Sequence, residues 1–233
     1  SGIDCDTGEA AEQIIPAEHT LTMAAVKQGL LMHPSRSFVG DIHLIDIGIE
    51  QEIIESFGPL PKAMLNDWVL EYMPERPDIG HKGTFGTCQV IAGSPQYVGA
   101  AYLVGKAAYR SGCGLVNLAA CPSVYNHLAG TLIEAIWTVL PECIEGYDPA
   151  SISLISNQIN NADSLVLGPG WGLGRNNIQF LDYLLNIIPN HLPVVFDADG
   201  LKLLVNFKNW WKRMPGQTIL TPNPGEMEVL TGK

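Results

Sequence analysis

From residue 81 onward, apolar residues fall into short uncharged runs that alternate with stretches of helical period. The runs 88–92, 115–120, 164–167, 193–196 and 217–220 are apolar almost throughout, as strands covered on both faces are. After Gly99, the residues Ala100, Leu103, Val104, Ala107 and Ala108 recur at i, i+3, i+4, i+7 and i+8. That spacing predicts a helix with a narrow, alanine-rich face suited to close packing on a sheet. Residues 178–188 and 201–205 read as two further helices. Repetition of strand, helix and strand predicts an α/β fold, an open and mostly parallel sheet with helices on both faces.

Upstream the pattern is weaker. Residues 20–25 alternate loosely and 40–48 alternate around Ile42, Leu44, Ile45 and Ile47, giving two strands and no convincing helix. Pro59, Pro61, Pro74 and Pro77 punctuate a connector, in which Met64, Leu65, Trp68, Val69 and Tyr72 at helical spacing predict a short helix that packs on a neighbour. The chain is therefore divided into residues 1–57, too small for a stable core of its own, and residues 58–233.

Composition narrows the function classes. The net charge is −11, which argues against nucleic acid or an anionic membrane as partner. Residues 1–57 hold ten acidic against two basic residues, so the longer part is near neutral and better suited to an anionic nucleotide. The five cysteines lack CxxC spacing, so neither a zinc site nor a disulfide framework is indicated, and reduced buried thiols in a cytoplasmic protein are expected. No apolar run has the length of a membrane span and no signal peptide is visible.

Four strands end in distinctive loops: Gly93-Ser94-Pro95 through Gly99, Gly168-Pro169-Gly170-Trp171-Gly172, Asp197-Ala198-Asp199-Gly200, and Thr221-Pro222-Asn223-Pro224-Gly225-Glu226. In a parallel sheet all carboxyl ends share one rim, where ligands bind. Gly168 to Gly172 read as an anion nest for a diphosphate or as an ordinary strand-to-helix turn, and Trp171 as a stacking platform or a core cap. Asp197 and Asp199 read as contacts to ribose, Mg²⁺-bound water or the next loop, with Asp199 alternatively capping the helix at 201. Asn223 or Thr221 caps a helix with Pro224 and Glu226 in its first turn. His81 and Lys82 read as a phosphate-facing cation or as a solvated basic loop, and the remaining histidines show no ligand spacing.

With HKGTFG, VIAGS, GAAYL, AAYRSGCGLV, LVLGPGWG, VFDADGLKLL and LTPNPGE in this order, residues 81–233 resemble the NAD(P)H-hydrate dehydratases of the ribokinase-like superfamily. The first block, with SGIDCDTG, resembles the tail of the NAD(P)H-hydrate epimerase domain, which many bacteria fuse ahead of the dehydratase. The resemblance implies repair of hydrated NADH or NADPH. Phosphorylation of the C6 hydroxyl by ADP or ATP with Mg²⁺, then loss of phosphate, restores the dihydropyridine. It implies substrate contacts at Gly99, Ala100, Gly170, Gly172, Asn223, Pro224, Gly225 and Glu226, nucleotide contacts at Lys82, Asp197 and Asp199, and a potassium ligand of the epimerase at Ser1. Asn223 stands where bacterial members carry a histidine; it offers a donor and an acceptor but no positive charge. The family's catalytic aspartate belongs to a Gly-Ser-Gly-Asp segment downstream of TPNPGE, which the resemblance places beyond Lys233. No catalytic residue is therefore expected within the 233 residues. The chain is expected to be an internal piece of a longer protein, incomplete at its C-terminal side and without dehydratase turnover by itself. An unpaired sheet edge and self-association follow from that expectation, and relatives often form homo-oligomers. Two alternatives remain at this stage, a small-molecule kinase of the same superfamily and a non-catalytic nucleotide-binding module.

Overall fold

The computed structural model describes residues 2–58, 66–143 and 145–232. The chain divides into two compact units, 1–74 and 75–233. In the first, β1 (His19–Met23) and β2 (Asp41–Ile45) lie parallel, with His19 opposite Asp41 and Met23 opposite Ile45. Two helices follow, α1 (Gln51–Glu55) and α2 (Asn66–Tyr72). The α1 helix has no counterpart in the sequence reading. Val69, Leu70 and Tyr72 of α2 are exposed; Met64, Leu65 and the side chain of Trp68, the rest of the face expected to pack, lie outside the described residues. Parallel strands are normally covered on both faces, yet Leu21, Met23 and Ile45 on one side of this pair are exposed.

A carboxylate helps to close the loop ahead of β1. Asp4 Oδ1 accepts the backbone N–H groups of Thr7 (2.8 Å) and Asp6 (2.9 Å), which hold its carboxyl below the ordinary carboxylate value. A depressed folded pKa gives stabilisation that is complete above the ordinary value and lost as pH falls through the folded one. An acid titration followed by NMR is expected to show the Asp6 and Thr7 amide shifts moving together with a midpoint below that of a free aspartate, and Asp4→Asn to abolish the transition.

The second unit is built on six parallel strands. In chain order its elements are β3 (Thr87–Ile91), α3 (Val98–Arg110), β4 (Leu115–Ala120), α4 (Pro122–Leu128), β5 (Ile136–Val139), a short hairpin of β6 (Glu142–Cys143) and β7 (Gly146–Tyr147), α5 (Ile152–Asn160), β8 (Ser164–Leu167), α6 (Arg175–Ile187), β9 (Val194–Phe196), α7 (Asp199–Leu204), β10 (Thr218–Leu220) and α8 (Pro224–Thr231). The sheet order is β10-β9-β8-β3-β4-β5, and every neighbouring pair is parallel. Helices cover both faces. Gly105 of α3 stands against Leu118, whereas Gln158 of α5 bonds Thr138, the register partner of Ala119. Leu118 and Ala119 are adjacent on one strand and so face opposite ways.

Two expectations need correction. The α3 face against the sheet is Ala101, Gly105 and Ala108, while Leu103, assigned to that face, is 67% exposed. The reason is closeness: a Cβ on Gly105 would stand 3.0 Å from Leu118 Cδ1 and 3.2 Å from Leu132 Cδ1, so the smallest residues set the contact. Second, the strands at 164–167, 193–196 and 217–220 are not covered on both faces. Val166 and Val195 are half-buried and Ile219 is 62% exposed beside a groove of about 630 Å³ next to Val104 and Ala107.

Candidate functional site

Because the sheet is parallel, the loops after β3, β4, β8, β9 and β10 all open on one rim. The segments 168–172 and 221–226 therefore lie on the same side of the sheet, with the 197–200 loop between them. Backbone contacts lock this rim. Gly168 (φ 109°) lies against the next loop so closely that a Cβ there would come within 2.3 Å of Asp197 O and 2.6 Å of Gly200 Cα. Gly170 (φ 69°) lies against the start of α3, where a Cβ would come within 2.7 Å of Ala100 Cβ and 2.8 Å of Tyr97 Cβ. Glycine is required at both positions, by conformation and by close approach together. Gly93 N–H donates to Pro169 O at 2.8 Å, joining the β3 and β8 loops.

Trp171 is 2% exposed and its Nε1–H donates to Ile91 O at 2.7 Å. Its ring meets Tyr147 and Phe180 edge-on, at 5.9 Å and 5.6 Å. It caps the core, and the stacking alternative is set aside. Asn177, absent from the sequence reading as a site residue, is 1% exposed on α6. Its Nδ2 donates to Trp171 O (2.8 Å) and Gly172 O (3.1 Å), and its Oδ1 accepts from Tyr147 N–H (3.0 Å). Tyr147 Oη in turn donates to Gly93 O at 2.5 Å. One amide thus fixes the glycine loop and the hairpin that faces it. A signal was present: Asn177, Phe180, Leu181, Leu184 and Leu185 share the buried α6 face, with asparagine at an otherwise apolar position.

Asp197, Asp199 and Glu226 of the rim are each engaged by a neighbour. Asp199 Oδ2 accepts from Gly172 N–H at 2.9 Å, so a carboxylate of the chain already faces this corner of the glycine loop. Asp199 begins α7, whose N-cap is Ala198, so it does not cap a helix starting at 201. Asp197 Oδ1 accepts from Thr221 Oγ1 at 2.8 Å. Asn223 caps α8 with Pro224 in the first turn; Asn223 Oδ1 accepts from Glu226 N–H (2.9 Å) and Glu226 Oε2 from Asn223 N–H (3.0 Å). Glu226 is 6% exposed, and Lys202 Nζ stands 3.4 Å from Asp199 and 3.7 Å from Glu226. Lys202→Ala is expected to lower unfolding stability by about 1 kcal/mol in urea titration, because a buried carboxylate loses its counter-ion.

Of the sequence-predicted residues, Gly99, Ala100, Gly170, Gly172, Asp197, Asp199, Asn223, Pro224, Gly225 and Glu226 lie along this rim. Gly99 stands in open space, where a Cβ would meet nothing within 4 Å. Lys82 does not join them. It precedes β3, against the backbone of Gly114 at the start of β4, and so lies at the opposite, amino-terminal edge of the sheet. A strand length separates it from the loops, so the structure does not bring Lys82 together with the other residues expected at the site. Two positions named in connection with the site lie outside the described residues: Ser1, expected as a potassium ligand, and Lys233, beyond which the catalytic aspartate is expected. Among the described residues no side chain is assigned a catalytic role.

A groove of about 320 Å³ opens at the rim between the β3 loop, the hairpin and the glycine loop; Ser94, Tyr97, Glu145, Gly172 and Leu173 are among its lining residues. Among the described residues no group of three metal-ligating side chains occurs, and Asp197, Asp199 and Glu226 are committed to protein partners, so none is assigned to a metal. Cys88, buried under α3, has its thiol pushed up to about 11 by burial and stays protonated at neutral pH, which excludes it as a nucleophile. Cys5 is exposed rather than buried. No helix among the described residues is long and apolar enough to cross a membrane.

An open parallel α/β sheet with its glycine loops on one rim defines a doubly wound domain that binds ligands at the carboxyl ends of its strands. A ribokinase-like superfamily protein of Enterococcus faecalis shares that fold, with a TM-score of 0.62 over 72% of this chain and 56% of its own, at 24% identity. The NAD(P)H-hydrate dehydratase family profile matches residues 88–233, and the chain belongs to that family. A bifunctional NAD(P)H-hydrate repair enzyme of Moorella thermoacetica is 32% identical over 233 residues, all of this chain and 44% of its own length. An ADP/ATP-dependent NAD(P)H-hydrate dehydratase of Bacillus subtilis, co-crystallised with ATP and Mg²⁺, has a TM-score of 0.53 at 28% identity and covers 71% of this chain and 54% of its own. The chain thus spans less than half the length of the bifunctional relatives it matches.

Proposed function

We propose that this chain carries the hydrate-facing rim of an ADP- or ATP-dependent NAD(P)H-hydrate dehydratase, within a protein that also epimerises the hydrate. The observation that carries the reading is the convergence of the glycine loop, the 197–200 loop and the α8 cap on one rim beside a ligand-sized groove. In that reaction the C6 hydroxyl of the hydrate takes a phosphoryl group from ADP or ATP, and the C6–O bond then breaks as phosphate departs and a ring proton is lost. The nucleotide with Mg²⁺ supplies the phosphoryl group. This chain's residues bind and orient the hydrate: the glycine loops allow backbone approach, and the engaged carboxylates hold their shape. The parallel β1–β2 pair, with Leu21, Met23, Leu44 and Ile45 exposed, supports reading residues 1–57 as part of a larger epimerase sheet, with Ser1 as its potassium ligand.

Isothermal titration of the 233-residue chain with NADH hydrate and NADPH hydrate tests the reading. Saturable binding is expected, with weaker binding of intact NADH, which lacks the C6 hydroxyl. Absence of heat with either hydrate rejects it. In a parallel incubation with ADP or ATP and Mg²⁺, a stable phosphorylated product would favour a kinase instead.

A further inference from the structure

Ser94 is 8% exposed, and its Oγ is a buried polar atom without a hydrogen-bond partner. Buried hydroxyls in native structures are almost always paired, and one left unpaired opposes folding. Ser94 also lines the rim groove. A serine χ1 has three staggered wells, so turning this hydroxyl toward a ligand in the groove calls for a change of rotamer and not of backbone.

The groove also states which part of a dinucleotide it suits. No lysine or arginine is among its lining residues and Glu145 is, so a diphosphate would enter against a carboxylate without a counter-charge. Its volume of about 320 Å³ is at the low end for ligand pockets, enough for one ring and its sugar but not for a whole dinucleotide. Resting on the function proposed above, we infer that Ser94 is a substrate-binding residue. Its hydroxyl bonds the uncharged nicotinamide half of the hydrate, a ring bearing a carboxamide and a hydroxyl, while the diphosphate stays outside the groove.

The test uses the 233-residue chain and its Ser94→Ala variant, with NADH hydrate and ADP-ribose, which lacks the ring, as probes. Ser94→Ala is expected to weaken hydrate binding about fivefold, the worth of one neutral hydrogen bond. ADP-ribose, whether it binds weakly or not at all, is expected to show no dependence on residue 94. The melting midpoint of the unliganded variant is expected to stay level or rise by about 2–4 °C, since an unpaired buried hydroxyl has been removed. A residue that only supported the loop would lower the midpoint instead. Hydrate affinity unchanged by the substitution, an equal loss for both probes, or a lowered midpoint overturns the inference while leaving the proposed function standing. Failure of the unsubstituted chain to bind hydrate removes both.

Discussion

Gly168→Ala is expected to destabilise the second unit by roughly 4 kcal/mol or more and to abolish ligand binding at the rim. Two penalties combine. The φ of 109° is one that residues with a Cβ rarely adopt, and the added methyl would lie 2.3 Å from Asp197 O and 2.6 Å from Gly200 Cα. These neighbours are backbone, so no side chain can swing aside, and relief requires the β8 and β9 loops to part. Gly172→Ala is the internal control: its φ is 79°, but a Cβ there would meet nothing within 4 Å. Only the conformational penalty applies, about 1–2 kcal/mol. Denaturant midpoints for the two variants check the contrast, and equal losses would show that the loop contact at Gly168 is unimportant.

Asn177→Ala has the second-largest expected effect, a loss of about 2–4 kcal/mol. The substitution leaves Trp171 O, Gly172 O and Tyr147 N–H without the partner each has now, and Asn177 itself is 1% exposed. Asn177→Asp keeps the acceptor for Tyr147 N–H but sets a carboxylate against two carbonyl oxygens, so it is expected to be no better. Urea titration gives the stability, and hydrogen exchange of the Trp171 indole N–H gives the local opening. Since Trp171 Nε1 is anchored on Ile91, that proton is expected to exchange faster in the variant than in the parent chain.

The sheet and the order of its rim loops were legible because buried parallel strands are short apolar runs and their carboxyl-end turns need glycine, proline or a capping side chain. Residues 164–167 and the GPGWG turn are the clearest instance. The α3 face was misjudged because periodicity weighs hydrophobicity alone, whereas contact with Leu118 selects the smallest side chains, Ala101, Gly105 and Ala108. Residues 121–160 gave no elements in advance. The edge strand β5 has only four residues, and α5 (ISLISNQIN) intersperses serine and asparagine among its isoleucines. Lys82 stands apart from the rim loops for a topological reason. A residue before a parallel strand and a residue after it are close in sequence but sit on opposite edges of the sheet. Asn177 was missed because a polar residue at a helix start resembles an ordinary cap until its partners on the hairpin and the glycine loop are seen.

The neighbours of β3 have a kinetic consequence. It pairs on one side with β4, the next strand in the chain, and on the other with β8, whose Ser164 lies opposite Cys88. The first pairing closes a short segment, and the second must bring together positions far apart along the chain, at a larger entropic cost. The Gly93–Pro169 and Trp171–Ile91 bonds, and with them two walls of the groove, exist only after that late docking. In stopped-flow refolding, recovery of ligand affinity is therefore expected to lag behind recovery of helical circular dichroism.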